Sequence, residues 1–421
     1  MAYKQVKYLI VGAGISGLTA ANYLKKDYLL LEKETEPGGY CRTIHRGEYV
    51  WDYAGHFFHF KTDEFRRLFH ENIPEQDIIS QTKRTKILYK GQLVDYPFQT
   101  NIHQLEKQEF IDCLYDLFQR EEKTEYADFL DMLYGKFGKS IVEKFLKPYN
   151  EKLYACDLHQ LDKDAMGRFF PYADIPQIIA NMKREQDASY NSTFLYPRNG
   201  AGSFLDVLYR RLDPKNVRLG CTLTRVDAEK KLAYTADGEV IGFEYLINSA
   251  PLNHFLEMLG TAPALALRDR LSYNKVLVFN LGFAKKSACR EHWIYVPDKN
   301  VNYYRIGFYD NILNADKLSM YVEIGYPKDA AVDADAQLAC TLENLRRSGI
   351  VTEDNPLVES MSIVMDPAYV HVTHDTEGDI AAFKKALAAS GIYTVGRYGG
   401  WTYCSMEDCM IEAKELTQSL Q

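Results

Sequence analysis

Three glycines and one acidic residue near the amino terminus have the types and the spacing that bind a dinucleotide. Gly12, Gly14 and Gly17 follow the apolar run YLIV, and Glu32 lies twenty positions after Gly12 at the end of the run DYLLLE. The first glycine permits a tight turn, the second lets the backbone approach a pyrophosphate, and the third lets a helix pack on the strand. The pyrophosphate would rest on the helix N-terminus, and the Glu32 carboxylate would accept hydrogen bonds from a ribose.

The residues after this unit indicate which dinucleotide is bound. The segment GGYCRT follows Glu32 where a nicotinamide domain would continue its alternating strands and helices. This arrangement resembles the FAD signature of the amine oxidase, phytoene desaturase and UDP-galactopyranose mutase superfamily, so tightly bound FAD is the predicted cofactor. The residues expected around it are Gly12, Gly14, Ile15, Ser16, Gly17, Glu32, Lys33, Gly39, Tyr40, Cys41, Gly55, His56, Gly396, Arg397, Tyr403, Ser405 and Met406.

Composition limits the other classes of protein to consider. At 421 residues the chain exceeds the size at which one hydrophobic core keeps growing, so two or three packed units are expected. Because its net charge is −8, the chain lacks the overall positive charge that is typical of nucleic-acid-binding proteins. Any bound anion must therefore be held by local arginines. The cysteines lack the spacing of a metal site, and the closest pair, Cys404 and Cys409, are expected to be structural thiols. With no leader segment and no apolar run long enough to cross a bilayer, we predict a cytoplasmic protein.

Periodicity predicts the elements that must position the site. The stretch KILYKGQLVDYPF predicts a hairpin with Gly91 at its turn, and residues 104–185 change to a helical period. Strands return with KVLVFNLGFA and MYVEIGY, and the last block predicts a strand, a glycine turn at Gly396 and a helix. We therefore predict an α/β fold in which a Rossmann-like FAD-binding domain is interleaved with a helical insertion and an antiparallel-sheet substrate domain. The expected boundaries are 1–85, 190–265 and 388–421 for the FAD-binding domain, 104–188 for the helical domain, and 86–103 with 266–387 for the sheet domain.

Five segments resemble those of the UDP-galactopyranose mutase family, and they occur in the same order. Together they span most of the chain, and ordered motifs are more specific than any single one. The segments are VDYPFQTNI, FLKPYNEKLYA, HWIYVPDKNVNYYRIGFYDN, MDPAYVHV and GRYGGWTYCSME.

The resemblance implies a pyrimidine site made from the first two segments. Tyr96, Phe98 and Gln99 would bind the base with help from Asn150, because aromatic rings stack on a base at low entropic cost. Tyr154 stands where the family has a tryptophan on the uracil side. This departure leaves the identity of the pyrimidine base undecided, so the expected substrate is either a UDP-sugar or a dTDP-sugar.

The resemblance also implies a site for the sugar and the diphosphate. Arg168 and Arg305 would flank these groups as catalytic residues, because arginine gives two parallel charge-assisted bonds where lysine gives a point charge. The hydroxyl groups of Tyr295, Tyr369 and Tyr403 would donate hydrogen bonds to diphosphate oxygens.

His56 is the third predicted catalytic residue. It follows Gly55 in the run WDYAGHFFHF, and in the family a histidine in this place lies over the flavin edge and responds to the redox state. The family has two glycines before this histidine where this chain has Ala54 and Gly55, and Ser405 stands where an acidic residue is often found. The second departure concerns the sugar, so its identity stays open.

The activity that the resemblance implies is the interconversion of the pyranose and furanose forms of a nucleotide sugar, most simply UDP-galactose. In that family reduced FAD is the active form, and its N5 atom attacks the anomeric carbon as UDP leaves, without net redox change. NAD(P)H or another reductant would activate the protein. The sequence leaves the electron donor and a homo-oligomeric state open.

Two other classes of function remain. One is an FAD-dependent oxidoreductase of the amine oxidase or porphyrinogen oxidase type, which needs an apolar tunnel and has no use for a diphosphate clamp. The other is a flavin-bearing binding or scaffold subunit without turnover. The latter predicts that Arg168 and Arg305 point away from the flavin.

Overall fold

Two seven-stranded sheets form the frame of the computed structural model, which describes residues 3–183 and 193–421. The strands, in chain order, are β1 (Tyr3–Val11), β2 (Tyr28–Leu31), β3 (Thr43–Arg46), β4 (Tyr49–Asp52), β5 (Ile78–Thr82), β6 (Thr85–Tyr89), β7 (Gln92–Asp95), β8 (Thr193–Pro197), β9 (Val217–Arg218), β10 (Leu223–Asp227), β11 (Leu232–Thr235), β12 (Val240–Asn248), β13 (Asn274–Phe283), β14 (Trp293–Tyr295), β15 (Arg305–Phe308), β16 (Ser319–Pro327), β17 (Leu357–Met365) and β18 (Ile392–Thr394).

Helices cover both faces of the first sheet and form a separate group beside the second. In chain order they are α1 (Ile15–Leu24), α2 (Asp63–Asn72), α3 (Lys107–Gln119), α4 (Phe129–Ile141), α5 (Lys147–Tyr154), α6 (Ile175–Lys183), α7 (Gly202–Arg210), α8 (Leu252–Leu259), α9 (Ala262–Arg270), α10 (Tyr309–Leu313), α11 (Ala334–Arg347), α12 (His374–Ala389), α13 (Gly396–Gly399) and α14 (Met406–Ser419).

The first sheet is the predicted Rossmann-like unit. Its central strand β1 pairs in parallel with β2 on one side and β12 on the other, so Val11 lies opposite both Leu31 and Asn248. Leu9 and Ile10 are fully buried because helices cover both faces, as a parallel sheet requires. Strand β18 pairs with β12 and brings α13 to the same edge as the turn after β1. The carboxyl ends of these strands therefore meet in one place, where open α/β sheets bind their ligands.

The second sheet has the strand order β17-β13-β16-β15-β14-β6-β7. Its pairs are antiparallel except β14 with β6, and the predicted hairpin around Gly91 is formed by β6 and β7. Tyr295 on β14 lies opposite Arg305 on β15, and Arg305 lies opposite Glu323 on β16. The register of three neighbouring strands therefore assembles these polar side chains.

The helical insertion lies between β7 and β8 in the sequence and carries the PYN segment on α5. A Cβ atom at Gly325 would lie 2.2 Å from the Lys152 carbonyl oxygen, so α5 packs closely against β16. The α/β fold class is confirmed, whereas the exact domain boundaries stay a prediction. In the described part of the chain no helix is both long and apolar enough to cross a membrane.

Candidate active site

A groove lies at the carboxyl ends of β1 and β2, around the glycine turn. It encloses about 420 Å³ and is also lined by residues 38–42 and by the residues around the start of α14. A Cβ atom at Gly14 would meet no protein atom within 4 Å, whereas one at Gly17 would lie 1.9 Å from the Gly12 carbonyl oxygen. Gly17 therefore allows α1 to pack on the turn, and Gly14 leaves open space that a pyrophosphate fits.

Glu32 is fixed at the end of β2 on the wall of this groove. One carboxylate oxygen, Oε2, accepts a hydrogen bond of 2.6 Å from the Ala13 amide, and Oε1 accepts one of 3.0 Å from the Glu34 amide. The side chain is held in place before any ligand arrives, and each oxygen keeps a lone pair for a ribose hydroxyl. This geometry fits the role predicted for Glu32.

Most of the predicted cofactor residues line the groove, and three do not. Gly17 and Gly396 lie behind it, since a Cβ atom at Gly396 would be 2.2 Å from the Ser16 hydroxyl oxygen, and Tyr403 lies beside it. Ser405 caps α14 through a reciprocal pair of hydrogen bonds with Asp408. The lining residues that were predicted are Gly12, Gly14, Ile15, Ser16, Glu32, Lys33, Gly39, Tyr40, Cys41, Gly55, His56, Arg397, Ser405 and Met406.

Arg397 places a cation between the groove and the aromatic residues beside it. Its guanidinium carbon lies 5.0 Å from the ring centre of Tyr369 and 4.6 Å from that of Tyr403. The buried Nε atom has no protein hydrogen-bond partner in the described residues. Burial opposes the charge of Arg397, but the neighbouring tyrosine hydroxyls outweigh it and its pKa is raised. An unpartnered donor in a groove with a pyrophosphate cradle fits an anionic cofactor such as FAD.

His56 lines the same groove and is held as a neutral base. Its Nδ1 atom lies 3.0 Å from the Ala54 carbonyl oxygen, which assigns the ring proton to Nδ1 and leaves Nε2 as an acceptor. Burial, and after it the positive charges of Arg397 and Arg305, lower the His56 pKa to about 4, although the hydrogen bond to Ala54 opposes this shift. Both arginines therefore contribute to the electrostatic field at His56.

Arg305 is half-buried, with 19% of its side chain exposed, and forms a two-bond ion pair with the buried Glu323. Nε donates to Oε2 at 2.9 Å and Nη2 donates to Oε1 at 2.6 Å. The Arg305 pKa is raised well above its usual value, because the attraction of Glu323 and the nearby tyrosines outweighs the effect of burial. Glu323 is not among the residues predicted from the sequence, although a glutamate within the apolar run MYVEIGY is a signal for such a site.

Tyrosine rings enclose the space beside Arg305. The Tyr295 ring lies 5.1 Å from that of Tyr96 and 5.2 Å from that of Tyr149, and the Tyr369 ring lies 6.0 Å from that of Tyr403. The hydroxyl groups of Tyr154 and Tyr304 are buried without a hydrogen-bond partner among the described residues. We call these residues the tyrosine cluster: Tyr96, Tyr149, Tyr154, Tyr295, Tyr304, Tyr369 and Tyr403.

Tyr321 shows why glycine occurs at two positions near this cluster. A Cβ atom at Gly55 would lie 2.2 Å from the Tyr321 hydroxyl oxygen, and one at Gly307 would lie 2.0 Å from its ring. The glycine before His56 therefore makes room for a tyrosine of the second sheet. Tyr149 and Tyr321 are not among the residues predicted from the sequence. Several tyrosines lie close together in the chain, and only the folded structure decides which of them face the site.

Arg168 lies at the surface and is bound to a different partner. Its guanidinium forms an ion pair with both carboxylate oxygens of Asp408, and the arginine side chain is 41% exposed. The adjacent Phe169 ring contacts Tyr403 at 5.2 Å, so this segment borders the tyrosine cluster. Of the two arginines predicted to flank the diphosphate, the structure places Arg305 in the interior and Arg168 on Asp408.

The residues predicted for the pyrimidine are mostly enclosed by protein. Phe98 is fully buried and stacks on Phe145 at 5.1 Å, so its ring presents no open face to a base. The Gln99 amide donates to the Pro171 carbonyl, and the Asn150 amide donates to the Leu146 carbonyl at 2.6 Å. The side-chain oxygens of both amides are buried without a protein partner in the described chain.

Comparison with known proteins gives relatives of one fold and several activities. Residues 10–71 match the family described as an NAD(P)-binding Rossmann-like domain. The chain is 22% identical to coproporphyrinogen III oxidase of Staphylococcus aureus (strain NCTC 8325 / PS 47) over 323 residues, which are 67% of this chain and 68% of that protein.

Two solved structures cover nearly the whole chain. Reduced UDP-galactopyranose mutase superposes with a TM-score of 0.93 at 22% identity, over 99% of this chain and 93% of the other. Putrescine oxidase bound to putrescine superposes with a TM-score of 0.70 at 12% identity, over 99% of both chains. The chain therefore has the fold of UDP-galactopyranose mutase, which confirms at the level of the fold the resemblance that the motifs indicated.

Proposed function

We propose that the chain is a flavin-dependent mutase that interconverts the pyranose and furanose forms of a nucleotide sugar, most simply UDP-galactose. The observation that carries this proposal is the tyrosine cluster around the Arg305–Glu323 pair, next to the groove that fits a dinucleotide. A diphosphate needs several hydrogen-bond donors and a cation, and tyrosine hydroxyls and an arginine supply them. The similarity to UDP-galactopyranose mutase supports the same activity.

In this proposal the groove holds FAD between the glycine turn and the start of α14. The turn at Gly14 accepts the pyrophosphate, Glu32 binds the ribose, and Arg397 offers its unpartnered Nε donor. When bound and reduced, FAD supplies a nucleophilic nitrogen for the anomeric carbon of the sugar. NAD(P)H or another reductant would supply the electrons before the first turnover.

The chain's own residues bind the leaving group and control protons. The hydroxyl groups of Tyr295, Tyr369 and Tyr403 donate hydrogen bonds to the diphosphate. Arg305 stabilises the negative charge that develops as the anomeric bond breaks. Neutral His56 accepts a hydrogen bond at Nε2 beside the groove. The rings of the tyrosine cluster exclude water, which strengthens these contacts because the local dielectric is low.

A second candidate is an FAD-dependent oxidoreductase. It is favoured by the similarity to coproporphyrinogen III oxidase and to putrescine oxidase. The number of buried hydroxyl groups in the tyrosine cluster argues against it, since an apolar or amine substrate leaves those groups unsatisfied.

Electron counting separates the two candidates. FAD-loaded protein is reduced once with a limited amount of dithionite under argon and then given excess UDP-galactose. The mutase proposal predicts many product molecules for each electron pair supplied. Product limited to one molecule for each electron pair supplied would favour the oxidoreductase, because an oxidoreductase uses two electrons in every turnover.

A further inference from the structure

Lys83 is a cation beside the tyrosine cluster and is not among the site residues predicted from the sequence. It lies between β5 and β6, and its Nζ atom is 5.2 Å from the ring centre of Tyr96 and 5.6 Å from that of Trp293. It makes no ion pair with any residue in 3–183 or 193–421. The contacts of its ammonium group in this part of the chain are therefore aromatic faces.

The electrostatic surroundings of Lys83 are unfavourable for its charge. Burial and, to a smaller extent, the positive charge of Arg305 together lower its pKa to about 8. Glu323 is already bound by Arg305 through both oxygens, so it does not neutralise Lys83. The other titratable group that interacts with Lys83 is His59, whose own pKa is lowered by burial and then by Lys83. A half-buried cation beside another cation is costly until an anion arrives.

We propose that Lys83 binds an anionic oxygen of the substrate, so that the site recognises a nucleotide sugar with one cation more than Arg305 provides. This inference rests on the proposed function. The anion is either an oxygen of the diphosphate or a carboxylate carried by the sugar, and both have the same chemistry toward an ammonium group. The gain is large because the charge of Lys83 is unpaired and poorly solvated before the ligand binds.

The test compares Lys83→Met with Lys90→Met in FAD-loaded protein. Methionine keeps an unbranched stem over Tyr96 and Trp293, and Lys90 is an exposed lysine on the adjacent hairpin, so both variants lose one positive charge. Calorimetry measures the Kd of uridine, UDP, UDP-galactose and UDP-galacturonic acid. Thermal unfolding and flavin content check that each variant is folded.

Loss of a charged hydrogen bond predicts an affinity for Lys83→Met about ten- to a hundredfold weaker, with no change for uridine. Equal losses for UDP and both UDP-sugars identify the diphosphate, and a loss confined to UDP-galacturonic acid identifies the sugar carboxylate. Lys90→Met should bind all four ligands as the unsubstituted protein does. Affinities of Lys83→Met within twofold of the unsubstituted protein, or an equal loss for uridine, overturn the role of Lys83.

A second measurement on the unsubstituted protein avoids any folding defect of the variant. Acetic anhydride labels lysines, and mass spectrometry then reports the labelling rate of Lys83 and Lys90 with and without UDP or UDP-galacturonic acid. The proposal predicts that at least one of these ligands protects Lys83 and leaves Lys90 unprotected. Bound ligand without protection of Lys83 refutes the inference alone, whereas the absence of any nucleotide binding refutes the proposed function.

Discussion

The guanidinium of Arg305 is held by both carboxylate oxygens of Glu323, which lies directly opposite it on the neighbouring strand. The Glu323 side chain is 2% exposed, so the pair is formed inside the protein and not in solvent. Two bonds fix both the position and the plane of the guanidinium before a substrate binds. Such preorganisation is what an arginine needs in order to stabilise charge on a leaving diphosphate.

Removal of Arg305 should therefore reduce turnover strongly. For Arg305→Ala we expect kcat to fall about thirty- to a thousandfold, since one oriented donor in a dry site is worth about 2 to 4 kcal/mol. Flavin content should be unchanged, because Arg305 lies outside the cofactor groove. Steady-state kinetics on reduced protein and the flavin absorbance provide the measurement.

Arg305→Ala also leaves Glu323 buried without its partner and therefore destabilises the fold. A loss of activity through unfolding must be separated from a loss of catalysis. The control is the double variant Arg305→Ala/Glu323→Gln, which removes the unpaired carboxylate. Thermal unfolding should recover in the double variant while kcat stays low. Near-normal turnover in either variant would show that the diphosphate clamp is misassigned.

Two glycines of the dinucleotide turn should respond oppositely to the same substitution. Gly14→Ala should change the unfolding free energy of the flavin-free protein by less than about 0.5 kcal/mol, because a Cβ atom there meets no protein atom within 4 Å. The same substitution should weaken FAD binding about tenfold or more. Gly17→Ala should destabilise the fold by about 1 to 3 kcal/mol, because its Cβ atom would strike the Gly12 carbonyl. Urea unfolding and flavin titration measure both effects. Unchanged FAD affinity of Gly14→Ala would place the cofactor elsewhere.

His56 should stay neutral across the physiological range of pH. Burial lowers its pKa from 6.5 to about 4, so the folded state binds fewer protons than the unfolded state between those values. The contribution of His56 to stability is therefore complete above pH 6.5 and is lost as the pH falls toward 4. An NMR titration of the His56 imidazole should show no protonation above about pH 5. A midpoint near the ordinary histidine value would disprove its burial beside two arginines.

Lys152 should hold the loop that joins the Tyr295 and Arg305 strands. Its Nζ atom donates to the carbonyl oxygens of Val296 at 2.9 Å, Asp298 at 2.8 Å and Tyr303. Lys152→Met removes the donor that these carbonyl groups share, so we expect a loss of about 1 to 3 kcal/mol in unfolding free energy and weaker UDP binding.

The matched control for Lys152 is Lys299 in the same loop. Lys299 is 65% exposed and forms an ion pair with Glu151, so Lys299→Met should change stability by less than about 0.5 kcal/mol. Urea unfolding and UDP calorimetry on both variants are the measurements. Equal effects of the two substitutions would refute the role of Lys152 as a clamp.

The sequence predicted the fold because its strongest signals are local. The glycine spacing, the hairpin around Gly91 and the change to helical period each depend on residues near in sequence. The position of Glu323 opposite Arg305 depends on strand register, which no local pattern specifies. The same limit applies to Lys83, whose neighbours come from two other strands or their ends.

Two predicted site residues show a further limit of reasoning from motifs. Arg168 is paired with Asp408, which is 240 residues away in the chain, and its segment gives no sign of that partner. Phe98 lies in a short YPFQ run without strand alternation, so the sequence did not indicate which aromatic faces the core. Because the Phe98 ring is fully buried, Phe98→Ala should act mainly on stability, with a loss of about 3 to 5 kcal/mol.

The identity of the product tests the central claim most directly. FAD-loaded protein, oxidised in one sample and dithionite-reduced in the other, is incubated with UDP-galactose, and chromatography separates the pyranose from the furanose form. We predict that the furanose form appears only with reduced protein and that UDP competes with the reaction. A reduced, flavin-loaded protein that binds UDP-galactose and returns only the pyranose form would contradict the mutase proposal.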